Sequence, residues 1–196
     1  MELIVATTNQ GKLCEIRARL QDAGVRVEGL GAHPEWIPAV EDGNTFAQNA
    51  RKKAEAIATQ SGKLCLADDS GLVVEALGGR PGIHSARFAH AEATDAENNR
   101  YLLECLQGVP VSERSAAFVC VMALCAPDGE CYLFEGELRG TILLEPEGSG
   151  GFGYDPLFWL PQQQKTLAQL SMKEKNSISH RGAALAQVVE FLQQSV

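Results

Sequence analysis

The sequence predicts a mixed α/β (α+β) domain, with helices packed on a mixed β-sheet. Three observations lead there. Short apolar runs of strand length alternate with longer stretches whose apolar residues recur every three or four positions. Residues 116–126 and 131–138 read as two strands joined by Pro127-Asp128-Gly129, a strong hairpin signal. The 196 residues, 45% of them hydrophobic, are enough for one domain (1–196) with a substantial core, and no repeat or linker divides them.

Taken in order, Leu3-Ile4-Val5-Ala6 is a short buried strand followed by the polar loop TTNQGK. Leu13, Ile16 and Leu20 recur at helical spacing, and Gly24 stops that helix. Val25 and Val27, with Leu30 at the margin, alternate as a strand does. Residues 31–43 hold Pro34 and Pro38 and are expected to be loop. Thr45 and Gln48 form a capping box ahead of a helix carrying Phe46, Ala50, Ala54, Ile57 and Ala58, closed by Gly62. Residues 64–67 are the next strand and 78–82 a loop around Pro81. Thr94 and Glu97 make a second capping box before Leu102, Cys105 and Leu106. The last helix carries Leu185, Val188, Val189 and Leu192 as one apolar stripe.

Composition narrows the function. A net charge of −8 and a pI near 5.0 argue against a nucleic-acid coat protein, which needs a basic face, but leave room for a small anionic ligand held by a few clustered cations. The N-terminus, MELIVATTNQ, has no positive n-region and no membrane-length apolar run, so a cytoplasmic protein with no membrane partner is expected. The six cysteines form no C-x-x-C pair and sit mostly in apolar runs; the expectation is small core residues kept reduced.

Two pattern matches fail on context. GSGGFG (148–153) satisfies G-x-G-x-x-G, but Tyr154-Asp155-Pro156 and a strand-like LFWL follow it where a dinucleotide site needs a helix. TTNQGK lacks the first glycine of a P-loop, and Leu13 stands where Ser or Thr would hold magnesium. A strand-to-helix loop can still hold phosphate at the helix N-terminus, with Thr7, Asn9 and Lys12 adding a hydroxyl, an amide and a cation; a plain turn capped by Asn9 reads equally well.

In LCLADDSGL (64–72) two carboxylates adjoin. Successive side chains of an extended segment point to opposite faces, so Asp68 and Asp69 do not share one ligand. One can bind magnesium, with Glu41 of VEDG as second ligand; a turn stabilised by Asp69 or Ser70 is the simpler reading on spacing alone. Asp69-Ser70-Gly71 also matches the D-[ST]-G of aspartic proteases, whose chemistry needs two such loops, and this chain has one. SISHRG (177–182) opens the last helix with Ser177 or Ser179 as cap. That puts His180 and Arg181 in a first turn whose dipole opposes cations by about 0.3–1 kcal/mol each. A balancing anion or polar ligand would account for them; a solvated basic patch with Lys173 and Lys175 is the alternative. SGGFGYDP offers Phe152 and Tyr154 for stacking on a planar base, or for core packing.

Together these motifs resemble the inosine triphosphatase family, pyrophosphatases of non-standard purine nucleoside triphosphates. The family's order is T-x-N-x-x-K, F-x-x-N-A-x-x-K-A, DDSGL, L-G-G-x-P-G-x-x-S-A-R, G-G-F-G-Y-D-P and S-H-R; this chain has all six, from Thr7 to Arg181. The resemblance implies an elongated twisted mixed sheet flanked by helices, in two lobes with the active-site cleft between them, and a homodimer. It implies hydrolysis of ITP, dITP and XTP to the monophosphate and pyrophosphate with Mg2+, clearing them from the nucleotide pool. Asp69 matches the catalytic carboxylate that binds metal and activates water, and Glu41 the second acidic position. Thr7, Thr8, Asn9, Gln10, Gly11, Lys12 and Lys53 match triphosphate contacts, with Ser70 near the phosphates. Phe152 matches the base-stacking residue, with Gly153 and Tyr154 in its loop, and Asp155, Lys175, His180 and Arg181 match the base-binding group. Gln48 stands where the family has Glu, and His84 where it has Tyr. The competing readings are a Maf-type nucleotide pyrophosphatase of different base specificity, and a non-catalytic nucleotide-binding module.

Overall fold

A computed structural model describes residues 1–194. Seven strands form one mixed sheet in the order β2-β1-β3-β4-β5-β6-β7. In chain order these are β1 (Glu2–Val5), β2 (Arg26–Gly29), β3 (Cys65–Val74), β4 (Ser115–Cys125), β5 (Cys131–Ile142), β6 (Phe158–Leu160) and β7 (Lys165–Thr166). The helices are α1 (Gln10–Asp22), α2 (Phe46–Ser61), α3 (Asp95–Cys105), α4 (Met172–Ile178) and α5 (His180–Gln194). β1 runs parallel to β2 and β3, whereas β6 runs antiparallel to β5 and β7. The sheet is therefore mixed, as expected.

The chain divides into two compact units: 1–69, 120–136 and the chain from 180 on form the first, and 70–119 with 137–179 the second. In the first, strand alternation sorts the core by face. Leu3, Val5, Leu66, Cys120, Met122 and Leu124 pack with Leu13, Ile16 and Leu20 of α1 and Leu185, Val188 and Leu192 of α5. Ile4, Ala6, Cys65, Ala67, Ala123 and Cys125 pack with Ala50, Ala54, Ile57 and Ala58 of α2. Both faces are covered, which is why the strands read as unbroken apolar runs rather than alternating ones. The second unit packs Leu72, Val74, Phe118, Ile142, Phe158 and Leu160 with Leu102 and Leu106.

One glycine fixes α5 to β5. A Cβ on Gly136 would stand 2.0 Å from the His180 carbonyl oxygen and 2.8 Å from the Ala184 nitrogen, both backbone atoms that cannot step aside. Gly136→Ala is expected to displace the first turn of α5 and cost about 1–3 kcal/mol. A thermal midpoint equal to that of the parent chain would show the contact to be slack.

The structure departs from expectation in four places. β3 continues through Val74, so Asp68 and Asp69 lie within a strand rather than at its end, because Leu72 and Val74 keep the strand buried beyond them. Residues 172–178 form a separate helix, capped by a Ser171/Glu174 box whose signal went unread. Cys125 and Cys131 are disulfide-bonded rather than reduced core residues, because they face each other as the last residue of β4 and the first of β5, just outside the Ala126/Glu130 pair of the hairpin turn, with Cα atoms 4.2 Å apart. The Thr45/Gln48 box is half formed: Thr45 caps Gln48, but the Gln48 side chain accepts from the Asn44 N–H instead of the Thr45 N–H. The Thr94/Glu97 box is complete.

Candidate active site

Strand alternation also sends the two aspartates to opposite faces of β3, as expected. Asp68 shares the face of Leu66 and meets α1 and α5. Its Oδ2 accepts from Lys12 Nζ at 2.9 Å and from an Arg181 guanidinium nitrogen at 3.3 Å, and Arg181 also donates to Glu15. Burial pushes the Asp68 carboxyl up, but Lys12, Arg181 and Lys53 outweigh it and hold the group well below the usual carboxylate range. Arg181, at the start of α5, thus has balancing anions within the chain, Asp68 and Glu15. Burial pushes the neighbouring Cys120 thiol up to about 12, which leaves it no role as a thiolate nucleophile.

Asp69 shares the face of Ala67 and meets α2. Its Oδ2 accepts from Asn49 Nδ2 at 3.0 Å, and its Oδ1 lies 3.9 Å from Lys53 Nζ. Lys53 Nζ also donates to Glu41 Oε1 at 3.2 Å. Burial raises the Asp69 carboxyl above its ordinary value despite Lys53 and Asn49. Both carboxyls are buried, so the cations decide: Asp68 is held as an anion and Asp69 is left more basic. Asn49, fully buried, holds this arrangement: its Oδ1 accepts from the Gly43 N–H at 2.8 Å while its Nδ2 reaches Asp69, tying the Glu41 loop to β3. Asn49→Leu is expected to lower turnover by about 10- to 100-fold, since it frees both the loop and the carboxylate. Turnover equal to the parent would deny Asn49 that positioning role.

Thr7, Thr8, Asn9, Gln10, Gly11 and Lys12 form a capped strand-to-helix turn. Thr7 Oγ1 accepts from the Asn9 N–H and Asn9 Oδ1 from the Lys12 N–H. The N–H groups of Gln10 and Gly11 begin α1, where no intrahelical acceptor is available and an anion is favoured.

In the second unit Phe152, Asp155 and Lys175 come together. Asp155 Oδ2 accepts from the Phe152 N–H at 2.9 Å and from Lys175 Nζ at 2.6 Å. Lys175 Nζ lies 4.4 Å over the Phe152 ring, a cation–π contact. A Cβ on Gly151, at φ +72°, would collide with Asp155 Oδ2 at 2.0 Å, so this turn requires glycine there. Tyr154 corrects the sequence reading of two stacking aromatics. It is 3% exposed, packs in the core and donates its hydroxyl to the Ser85 carbonyl, so it anchors the loop. Ser70 follows Asp69 on β3 and is half-buried. His180 and Arg181 are buried at the start of α5.

Sequence reading passed over Asn49 and Glu15 as site residues. Asn49 had a signal: Phe46, Asn49 and Ala50 fall on one apolar helix face, where a polar residue must find a partner. Nothing in the sequence marks Glu15.

Two carboxylates that converge on one ammonium suit a hard divalent cation, because magnesium takes one or two carboxylates and draws its other ligands from phosphate and water. Among the described residues no group of three or more His, Cys, Asp or Glu side chains clusters as a metal site would.

The seven-stranded mixed sheet with its helices, carrying two lysines near the start of α1 and on α2 beside a buried carboxylate, defines a mixed α/β protein. Comparison with known proteins gives the family. The sequence pattern of the Ham1 family matches residues 3–191, and the chain belongs to that family. It is 50% identical over 192 residues to a dITP/XTP pyrophosphatase of Desulforamulus reducens, covering 98% of this chain and 96% of that one. It is 50% identical over 190 residues to a dITP/XTP pyrophosphatase of Geobacter sulfurreducens, covering 97% and 96%. Among solved structures, a HAM1 protein from Coxiella burnetii superposes with a TM-score of 0.90 at 41% identity, covering 99% of both chains. Among the described residues, no helix is long and apolar enough to cross a membrane.

Proposed function

We propose that this protein hydrolyses non-standard purine nucleoside triphosphates (ITP, dITP and XTP) to the monophosphate and pyrophosphate. The observation that carries the reading is the convergence of Asp69 and Glu41 on Lys53, with Asn49 orienting Asp69. The names of the relatives at 50% identity agree with it.

The chemistry follows from these side chains. Asp69, desolvated and more basic than an ordinary aspartate, orients water and takes its proton. The water oxygen bonds to the α-phosphorus, the bond from that phosphorus to the α,β-bridging oxygen breaks, and pyrophosphate leaves. Lys12, Lys53 and the α1 N-terminus hold the triphosphate and offset its charge. Asp69 and Glu41 would hold Mg2+, which supplies charge neutralisation on the phosphate oxygens. Phe152 stacks on the base, and Lys175, held by Asp155 beside that ring, donates to the base edge. Hypoxanthine and xanthine carry an acceptor, O6, where adenine carries an amino donor, so a donor such as Lys175 favours them.

The test is a product assay with magnesium across ITP, XTP, GTP, ATP and dTTP. Pyrophosphate from ITP and XTP, at rates at least about 100-fold above ATP, is expected. Comparable rates on ATP, or orthophosphate as product, would overturn the reading; preference for dTTP would favour a Maf-type enzyme, and no turnover a binding module. We further propose a cytoplasmic homodimer, testable by sedimentation; a monomer at micromolar concentration would contradict it.

A further inference from the structure

The loop carrying Phe152 borders open space. A cavity of about 950 Å³ is lined by Asp95, Asn99 and Leu103 of α3, by Leu144, and by Phe152 and Gly153 themselves. On that side hydrogen bonds tie the loop to α3. The Gly153 N–H donates to Asp95 Oδ2 at 2.7 Å, and Asn99 Nδ2 donates to the Gly153 carbonyl at 2.8 Å. Both polar groups of one residue, adjacent to Phe152, are thus gripped by two side chains one turn apart on α3. The Asn99 amide orientation is unambiguous: Nδ2 also donates to the Asp95 carbonyl, so a flipped amide would face two carbonyl oxygens. The grip is carried by a well-anchored element, since α3 begins with a complete Thr94/Glu97 capping box and buries Asn98 and Leu102.

We infer that Asp95 and Asn99 are positioning residues for nucleotide binding, acting through the Gly153 backbone to hold Phe152 where it can stack on a base. The inference rests on the proposed role of Phe152. Neither side chain touches the reacting atoms, so their loss falls on KM and leaves the chemical step. Nothing in the sequence hints at this, because Asp95 and Asn99 belong to none of the motifs read there.

The experiment measures kcat and KM for ITP in Phe152→Ala, Asp95→Ala, Asn99→Leu and Asp95→Asn, with the inhibition constant of inorganic triphosphate as a probe that lacks a base. Asp95→Ala and Asn99→Leu are each expected to raise KM about tenfold, the reading of one lost hydrogen bond at a binding site, with triphosphate inhibition unmoved. Asp95→Asn keeps an acceptor for the Gly153 N–H and is expected to recover most of the loss. If Phe152→Ala raises KM while Asp95→Ala and Asn99→Leu do not, the clamp is overturned and the stacking role stands. If Phe152→Ala leaves KM unchanged, the stacking role falls, and the clamp with it. Thermal midpoints control for folding: variants that melt lower with KM unchanged would make the two bonds structural only, against the inference.

Discussion

Asp69→Asn is expected to lower kcat on ITP about a thousandfold while the metal-free protein at neutral pH melts higher than its parent. The first effect follows from removing the one desolvated carboxylate that faces Lys53 and Glu41, since a general base alone contributes about 10²–10⁴-fold. The second follows from the direction of the Asp69 shift. Burial raises this carboxyl in the folded state. A raised carboxyl keeps its proton in the folded chain over a pH range where the unfolded chain has lost it. Its ionisation therefore destabilises the fold progressively as pH rises through the folded value, and fully above it. An asparagine side chain accepts the Asn49 hydrogen bond without that cost, so the gain should be present at neutral pH and vanish below about pH 4. Function and stability thus oppose each other at this position. An Asp69→Asn variant that turns over at the parental rate would remove Asp69 from the mechanism; one that is inactive but melts lower would show that the charge is compensated better than its surroundings suggest.

Arg181→Met is expected to cost about 3 kcal/mol, an Arg-to-apolar change that removes a cation bonded to two buried carboxylates. Arg181 is 2% exposed and bonded to Glu15 and Asp68, which are 4% and 1% exposed. Asp68 keeps Lys12 at 2.9 Å. For a chain of this size the thermal midpoint should drop by roughly 6–12 °C. The pH dependence separates this from a packing defect. Asp68 is held below the usual carboxylate range, so its contribution is present above the unfolded value, about pH 4, and is lost as pH falls further. Without Arg181 that shift shrinks, and stability should depend less steeply on pH in the acid range. Adding Glu15→Gln to Arg181→Met should recover part of the loss, a coupling that two independent defects would not show. A midpoint within about 2 °C of the parent would mean the network is solvated in solution.

The lesson of the two aspartates is how far strand geometry alone reached. Period-two alternation, read from LCLADDSGL, already separated Asp68 from Asp69, and the structure gives them different partners on different helices. The capped turn at Asn9, the box at Thr94, the N-cap at Thr45 and the α5 stripe were legible because capping and helical periodicity are local. What was not legible depends on distant chain. β3 outran its predicted end because Leu72 and Val74 are buried by residues far along the sequence. Cys125 and Cys131 read as core because a cross-strand pair looks like any two apolar-run cysteines until the hairpin register is set. Tyr154 read as exposed on a glycine-rich loop, and only the Ser85 carbonyl, 69 residues away in sequence, shows what its hydroxyl is for. Arg181 was legible as a cation needing an anion; Glu15, 166 residues away, was not.

The central claim, attack at the α-phosphorus by a water that Asp69 activates, is tested most directly by hydrolysis of ITP in water enriched in oxygen-18 with magnesium present. The account predicts one labelled oxygen in the inosine monophosphate and none in the pyrophosphate; label in the pyrophosphate instead would place the attack at the β-phosphorus and contradict it.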